Sequence, residues 1–462
     1  MKNLTLDNIA RACDGELFGG ETALQEASCV VIDSRKMMEN GVFIATKGER
    51  VDGHDFIPRV KEMGALGVVC ERVPEDCDIP YILVRDSFQA LKDIAEYYRK
   101  GLSIPIIGIT GSVGKTSTKE MIAAVLSQGF HTLKTDKNYN NEIGLPLTVL
   151  QIMPEHEAAV LEMGISDFGE MHRLSKVARP DICVLTNIGQ CHLENLGSRE
   201  GILKAKSEIF DFMNPEGQIF VNGDDDMLIK VKGQAGHVPV RFGLGNDNQV
   251  YASDIANRGL LGSKAVIHMG EENFQAESPL PGIHMVVNAL AAAAVGKYLG
   301  LSTEKIQKGI TEVKAVEGRS RVVSTASYTM IDDCYNANPV SMKAAIDLLT
   351  MAVGRKVAVL GDMFELGDRE KELHGEVGAY VVEKDIDVLL CAGELCRSMY
   401  EQACTVKEAK TGEMNPTEIY YFADRETLLR ELGNVLKEGD NILVKASHGM
   451  QFEKVVSYLE QS

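Results

Sequence analysis

Ile104-Pro105-Ile106-Ile107-Gly108-Ile109-Thr110-Gly111-Ser112-Val113-Gly114-Lys115-Thr116 is the stretch on which the fold of this 462-residue chain turns. An apolar run of strand type leads into a glycine-rich turn, and a helix is predicted to begin at Ser117-Thr118-Lys119-Glu120. Strand, turn and helix in that order bring backbone N–H groups and a helix N-terminus to one point, where they can meet phosphate oxygens. Gly111, Ser112, Val113, Gly114, Lys115, Thr116 and Ser117 are therefore the expected nucleotide-binding residues. Lys115 can reach the β- and γ-phosphates, and the Thr116 hydroxyl can ligate Mg²⁺. The general pattern G-x-x-x-x-G-K-[ST] is met imperfectly, because Ile109 stands where its first glycine belongs and Gly108 and Gly111 flank it. A ligand-free turn has no need of Gly-Lys-Thr here, so a nucleoside triphosphate is the expected ligand. A guanine-reading Asn-Lys-x-Asp is absent, which argues against a switch GTPase.

Working outward, apolar runs at 158–163, 182–186 and 218–222 alternate with helical segments, and an Ala-rich stretch at 286–299 reads as a buried helix. That alternation predicts a mostly parallel sheet flanked by helices. Upstream, 28–32, 41–45 and 66–70 read as strands, 56–64 and 88–99 as helices, and Lys100-Gly101-Leu102-Ser103 as a hinge. Downstream, strands at 330–333, 356–361, 388–392 and 441–445 alternate with helices at 339–351, 370–383 and 425–437, a second doubly wound unit. The expected fold is α/β in three domains: 1–101, a small α/β domain; 102–316, a central mostly parallel domain of phosphate-loop type; and 317–462, a C-terminal doubly wound, Rossmann-like domain.

Composition narrows the function. Lys plus Arg (48) against Asp plus Glu (67) leaves a net charge of -19, which disfavours nonspecific binding to nucleic acid or anionic membrane. The ten Cys are scattered with no CxxC pair, as in a chain with reduced thiols rather than a disulfide framework or zinc ribbon. No signal-type apolar region opens the sequence, and no long apolar stretch follows. A cytoplasmic chain without membrane insertion is expected.

Three clusters in the middle region are unusual. Lys134-Thr135-Asp136-Lys137-Asn138-Tyr139-Asn140-Asn141-Glu142-Ile143-Gly144-Leu145-Pro146 is rich in Asn; Leu161-Glu162-Met163-Gly164 places a carboxylate at the end of a buried strand. Thr186-Asn187-Ile188-Gly189-Gln190-Cys191-His192-Leu193-Glu194 follows another strand and precedes Lys204-Ala205-Lys206-Ser207-Glu208-Ile209-Phe210. Singly each has a bland reading: Asn makes turns, a strand-end Glu can stand alone, a lone His is more often structural. In order, with TGSVGKTSTKE, they resemble the Mur ligase family, the ATP-dependent amide-forming enzymes of peptidoglycan precursor synthesis.

The resemblance implies roles. Thr116 and Glu162 would hold the Mg²⁺ that bridges the β- and γ-phosphates of ATP, and His192 and Lys206 would serve a second Mg²⁺. In the family this lysine is commonly carbamylated, which turns an ammonium that would repel Mg²⁺ into an anionic oxygen ligand. Lys204 is the competing candidate. Gly282-Ile283-His284-Met285-Val286-Val287-Asn288-Ala289-Leu290 is similar to the family's adenine-contacting segment, with Asn288 carried over and Met285 in place of the usual Asn. Arg319 would offset γ-phosphate charge, Asp333 and Asn336 would meet the nucleotide, and Arg321 is either part of that segment or a surface charge. The implied catalytic set is Lys115, Glu162, His192, Lys206 and Arg319.

Asp332-Asp333-Cys334-Tyr335-Asn336-Ala337-Asn338-Pro339-Val340-Ser341-Met342, and Leu360-Gly361-Asp362-Met363-Phe364-Glu365-Leu366-Gly367 with His374, are similar to segments of the members that add D-alanyl-D-alanine to UDP-N-acetylmuramoyl-tripeptide. The DNPR signature of the diaminopimelate-adding members is absent. By the same resemblance the first domain would bind the UDP part through Ser34, Arg35 and Lys47, and Asn138, Asn140, Asn141, Asn338, Lys445 and Ser447 would be further substrate contacts. One departure stands out: where the family often ends Lys-Gly-Ser-Arg, this chain has Lys445-Ala446-Ser447-His448. The implied reaction is an ATP-dependent ligation through an acyl phosphate, releasing ADP and phosphate, by a monomer. Another ligase of the superfamily, a folylpolyglutamate synthase included, or a nonenzymatic nucleotide switch are the competing readings.

Overall fold

The strands Ile106–Thr110 and Ala158–Glu162 are buried at every residue, which is why each reads as an unbroken apolar run: a parallel strand covered on both faces has no polar side. In this computed structural model, which describes residues 1–19, 23–75, 78–233, 236–410 and 417–461, they lie at the heart of a nine-stranded sheet. From one edge its order is Thr132–Lys134, Ala158–Glu162, Ile106–Thr110, Ile182–Leu185, Gln218–Asn222, Val240–Gly243, Val250–Asn257, Ser263–Met269 and Glu272–Ser278. The first seven pair in parallel; the last two close it as antiparallel strands.

One face of this sheet is covered by Lys115–Leu126, Ile283–Tyr298 and Thr303–Glu312, whose Met121, Val125, Leu290, Ile306 and Ile310 share a core. Gly309 lets two of these helices touch, since a Cβ there would lie 2.4 Å from Val125 Cα. The opposite core is continuous with the N-terminal domain: Leu91, Ile94 and Ala95 of the helix Ser87–Lys100 pack with Leu145, Val149 and Leu150. Arg99 at its end donates to the carbonyls of Ala178 (2.8 Å) and Arg179 (2.7 Å) and to Asp181 (2.9 Å). Residues 100–103, read from sequence as a hinge, thus follow a helix anchored in the central domain.

The N-terminal sheet has five strands in the order Glu16–Phe18, Tyr81–Leu83, Gly67–Cys70, Val42–Ile44 and Val30–Val31, with its first pair antiparallel. The C-terminal sheet has six: Arg321–Ser324, Thr329–Asp332, Asn441–Lys445, Lys356–Gly361, Val388–Ala392 and Glu418–Phe422, again with one antiparallel pair at the edge. The sequence reading omits the strands at 250–278, the edge strand Glu418–Phe422 and the helix Cys396–Ala409. It also starts the first helix of the central domain late: that helix begins at Lys115, so Lys115 and Thr116 occupy its first turn, where N–H groups have no intrahelical acceptor. Among the described residues no helix is long and apolar enough to cross a membrane.

Candidate active site

A cavity of about 720 Å³ opens between the central and C-terminal sheets. Strand ends converge on it, as expected where carboxyl ends of parallel strands meet a crevice. The register sets Ile109 opposite Glu162 and Thr110 opposite Leu185, so Glu162 and the segment after Leu185 flank the phosphate loop. Ser112, Val113, Gly114, Lys115, Thr116 and Ser117 line the cavity, with Asn140, Asn141, Glu162, His192 and Asn288 from the same domain. Arg319, Asp333, Asn336, Asn338 and Lys445 face them from the C-terminal domain.

The loop is clasped from behind. Thr186 Oγ1 donates to the Val113 carbonyl (2.7 Å), and the Asn187 amide both donates to that carbonyl (3.0 Å) and accepts from Val113 N–H (2.9 Å). Ser112 Oγ accepts from Gly189 N–H (2.9 Å). Gly111 has no room for a side chain, as its Cβ would fall 2.0 Å from Thr186 Oγ1; Gly114 has φ +79°. The sequence reading missed Thr186 and Asn187 as loop holders, because contacts some seventy residues apart leave no local pattern. Lys115 Nζ rests on the Gly111 carbonyl (2.8 Å), and burial pushes its pKa down against the attraction of Glu162.

Glu162 is buried, at 1% exposure, and only partly satisfied. Its Oε1 accepts from Asn140 Nδ2 (2.8 Å), while Oε2 has no hydrogen-bond partner and lies 3.9 Å from Lys119 Nζ. An orphaned carboxylate oxygen on the wall of a cavity that also presents the Thr116 hydroxyl is a donor set a hard divalent cation can use, so the residues fit Mg²⁺.

Of the two candidate lysines, Lys204 is exposed, with Nζ 6.0 Å from the Phe168 ring centroid, and Lys206 is buried. Burial, reinforced by the charge of Lys115, pushes Lys206 down to about 7. His192 lines the cavity, yet its Nδ1 meets Glu365 Oε2 of the C-terminal domain at 2.7 Å; both residues have positive φ (50° and 62°). Glu365 was not among the expected site residues. Asn288 accepts from Thr118 Oγ1 (2.9 Å), so its amide oxygen is already committed, and Met285 beside it is a core residue, 2% exposed.

Several expected ligand contacts, most of them on the facing wall, also bond within the protein. Lys445, 2% exposed, donates to Asp333 Oδ2 (2.5 Å) and to the carbonyls of Asp333 (3.3 Å) and Asn336 (2.8 Å), which engages its three N–H groups. Ser447 lies off the cavity wall and accepts from Phe364 N–H (2.9 Å). Asn338 caps the helix Pro339–Thr350 through Ser341 N–H (2.9 Å), Asn336 accepts from Ala337 N–H (2.9 Å), and Asn141 accepts from Gly144 N–H (2.9 Å). Asn141, Asn336, Asn338 and Lys445 line the cavity while they serve the backbone, since short amide side chains satisfy nearby N–H groups first. Asp333 also accepts from Ser320 N–H (2.9 Å), and Arg321 is a structural ion-pair residue, held by Asp332 (3.2 Å) and Glu460 (2.9 Å). The Arg319 guanidinium lies 3.9 Å from the Tyr335 ring centroid. Asn138 lies off the cavity wall.

A second cavity, of about 990 Å³, lies between the N-terminal and central domains. Ser34 and Arg35 line it, opposite Tyr139, Leu150 and Met153; Thr46 and Gly48 line it too, but Lys47 between them does not. Arg35 makes a two-pronged contact with Asp33 (2.9 Å each), which holds that carboxyl below its usual range. Among the described residues, Asp362, His374 and Cys396 alone have the spacing of a metal centre. Their donors are engaged: His374 Nδ1 donates to the Glu370 carbonyl (2.7 Å), Nε2 accepts from Met363 N–H (2.9 Å), and Asp362 accepts from Cys396 N–H (2.8 Å). Burial drives the Cys396 thiol far up, so this group is read as a brace for the 362–366 turn.

Comparison with known proteins agrees with this geometry. Family models described as Mur ligase family, catalytic domain, Mur ligase middle domain, and Mur ligase, glutamate ligase domain match residues 26–99, 109–296 and 318–448. The chain is 38% identical over 465 residues to UDP-N-acetylmuramoyl-tripeptide--D-alanyl-D-alanine ligase of Bacillus subtilis, covering 99% of this chain and 98% of that one. The crystal structure of MurF from Acinetobacter baumannii superposes with a TM-score of 0.89 at 32% identity over 99% of both chains. MurF ligase from Thermotoga maritima in complex with ADP superposes with a TM-score of 0.80 at 30% identity, covering 94% of this chain and 97% of that one.

Proposed function

This chain belongs to the Mur ligase family, and from that premise we propose that it joins D-alanyl-D-alanine to UDP-N-acetylmuramoyl-tripeptide, with ATP giving ADP and phosphate, in peptidoglycan precursor synthesis. One observation carries the reading: a chain that aligns end to end with a ligase of this activity brings Lys115, Glu162 and Arg319 to a single cavity.

In this reading the tripeptide carboxylate attacks the γ-phosphorus in line, forming a P–O bond to the acyl oxygen as ADP departs. Lys115 and Arg319 offset the charge that moves onto the phosphoryl oxygens. The amine of D-alanyl-D-alanine then attacks the acyl carbon; the amide forms, phosphate leaves, and the amine gives up a proton. The cavity between two sheets supports this order, since a site closed by a facing domain keeps water from an acyl phosphate. Thr116 and Glu162 would hold one Mg²⁺, and His192 and Lys206 a second; such ions supply Lewis-acid stabilisation of phosphate charge. A lysine held near neutrality by burial presents an amine lone pair to CO₂, which supports a carbamate at Lys206. The UDP part is assigned to the cavity lined by Ser34 and Arg35. Three sheets support the division 1–101, 102–316 and 317–462. We take the chain to act as a monomer in the cytoplasm, where ATP is available.

The test is phosphate release from Mg²⁺-ATP with UDP-muramoyl-tripeptide, with and without D-alanyl-D-alanine. Release that requires both substrates, with a product heavier by the dipeptide, is expected. No release from folded protein that binds ATP would overturn the acceptor assignment and leave the nucleotide site standing.

A further inference from the structure

Arg319 has no carboxylate partner among the described residues, whereas Arg321, two residues on, is held by Asp332 and Glu460. What Arg319 has instead is the face of Tyr335, 3.9 Å from ring centroid to guanidinium carbon. It lines the same cavity as the phosphate loop, Ser112 to Ser117. The difference between a carboxylate and a ring matters. A carboxylate would occupy the N–H groups that grip phosphate oxygens; a ring attracts the cation through its face and leaves all five free.

The backbone around this pair is tailored to it. Gly318, at φ +70°, lies so close to Tyr335 that a Cβ would sit 3.0 Å from Tyr335 Cβ. Tyr335 N–H donates to the Gly318 carbonyl (3.2 Å), and Gly318 N–H and Ser320 N–H donate to Asp332 and Asp333 (2.9 Å each). The ring is flanked by His448, whose centroid lies 5.6 Å away. His448, the residue in place of the family's Arg, therefore has a contact of its own.

We propose that Tyr335 is a positioning residue for Arg319: its ring holds the guanidinium aimed at the γ-phosphate with every donor free. This rests on the reading above that Arg319 meets the γ-phosphate, and it adds a residue that the sequence did not single out. Without the ring a long, mobile side chain would have to be ordered by the phosphate itself, and affinity for the triphosphate would fall while affinity for the diphosphate would not.

The experiment is calorimetric binding of ADP and of a non-hydrolysable ATP analogue to the full-length wild type and to Y335F, Y335L, R319M and the double variant R319M/Y335L. Y335L is expected to bind the ATP analogue about tenfold more weakly, within the range of a cation–π contact, with ADP affinity unchanged. Y335F keeps the ring and should match wild type within about twofold. R319M should lose the preference for the ATP analogue, and Y335L should add nothing to it. Unchanged ADP affinity doubles as the check on folding, and Y335Q replaces Y335L if the latter is not recovered folded. Equal weakening of both nucleotides by Y335L, or loss in Y335F as large as in Y335L, would overturn the proposal. An ATP preference intact in R319M would instead overturn the placing of Arg319 at the γ-phosphate, and this proposal with it.

Discussion

Two lysines are buried in two α/β domains, Lys445 at the end of a strand and Lys206 on a helix, and their surroundings could hardly differ more. Lys445, in the C-terminal domain, spends its donors on Asp333 and Asn336. Lys206, in the central domain, has another cation, Lys115, as its main charged neighbour and is pushed down to about 7. The contrast extends to the carboxylates. Asp332, Asp333 and Asp362 in the C-terminal sheet all accept from nearby N–H groups, whereas Glu162 in the central sheet keeps one oxygen unpartnered. The lesson is that burial alone does not mark a functional charge. In one domain the charges hold a loop in shape; in the other they wait for a ligand.

Three substitutions test that division, from the largest effect to the smallest. Glu162→Gln should lower turnover by about two to three orders of magnitude while thermal stability stays close to that of the parent, because the amide keeps the Asn140 contact and the oxygen it replaces has no hydrogen bond to lose. A stability loss matching the activity loss would place Glu162 among the structural charges instead. Lys445→Met should do the reverse. It strands the Asp333 carboxylate, and unfolding in denaturant should show a loss of about 3 kcal/mol; an unchanged midpoint would break the comparison. The smallest effect concerns Lys206: activity should fall in CO₂-depleted buffer and return with bicarbonate, and Lys206→Met should lose this dependence. Activity indifferent to bicarbonate would leave Lys206 a plain buried amine.

Much of the fold is legible in the residues. The strands Gln218–Asn222, Lys356–Gly361, Val388–Ala392 and Asn441–Lys445 coincide with their apolar runs, since parallel strands buried on both faces advertise their full length. The hairpin Ser263–Met269 and Glu272–Ser278 escapes notice because buried and outward residues alternate and no continuous apolar run forms. Its partner Val250–Asn257 carries an irregularity between Ser253 and Ala256, with Asp254 at φ 49°, which breaks the period of two. In the site, the phosphate loop could be read because all its parts are adjacent. Glu365 opposite His192 and Tyr335 beneath Arg319 could not, since each partner is supplied by a segment remote in sequence.

The sequence by itself determined the α/β alternation, the phosphate loop and the ordered motifs of a ligase family, because these reside in neighbouring residues and in the period of their side chains. Only the tertiary structure decided which charges are free. It buried Lys206 and exposed Lys204, gave Lys445, Ser447, Asn141 and Asn338 hydrogen bonds within the protein, and left Glu162 with an open oxygen. The physical reason is that desolvation and hydrogen-bond satisfaction depend on what every packed segment brings to a point, and adjacency along the chain does not record it.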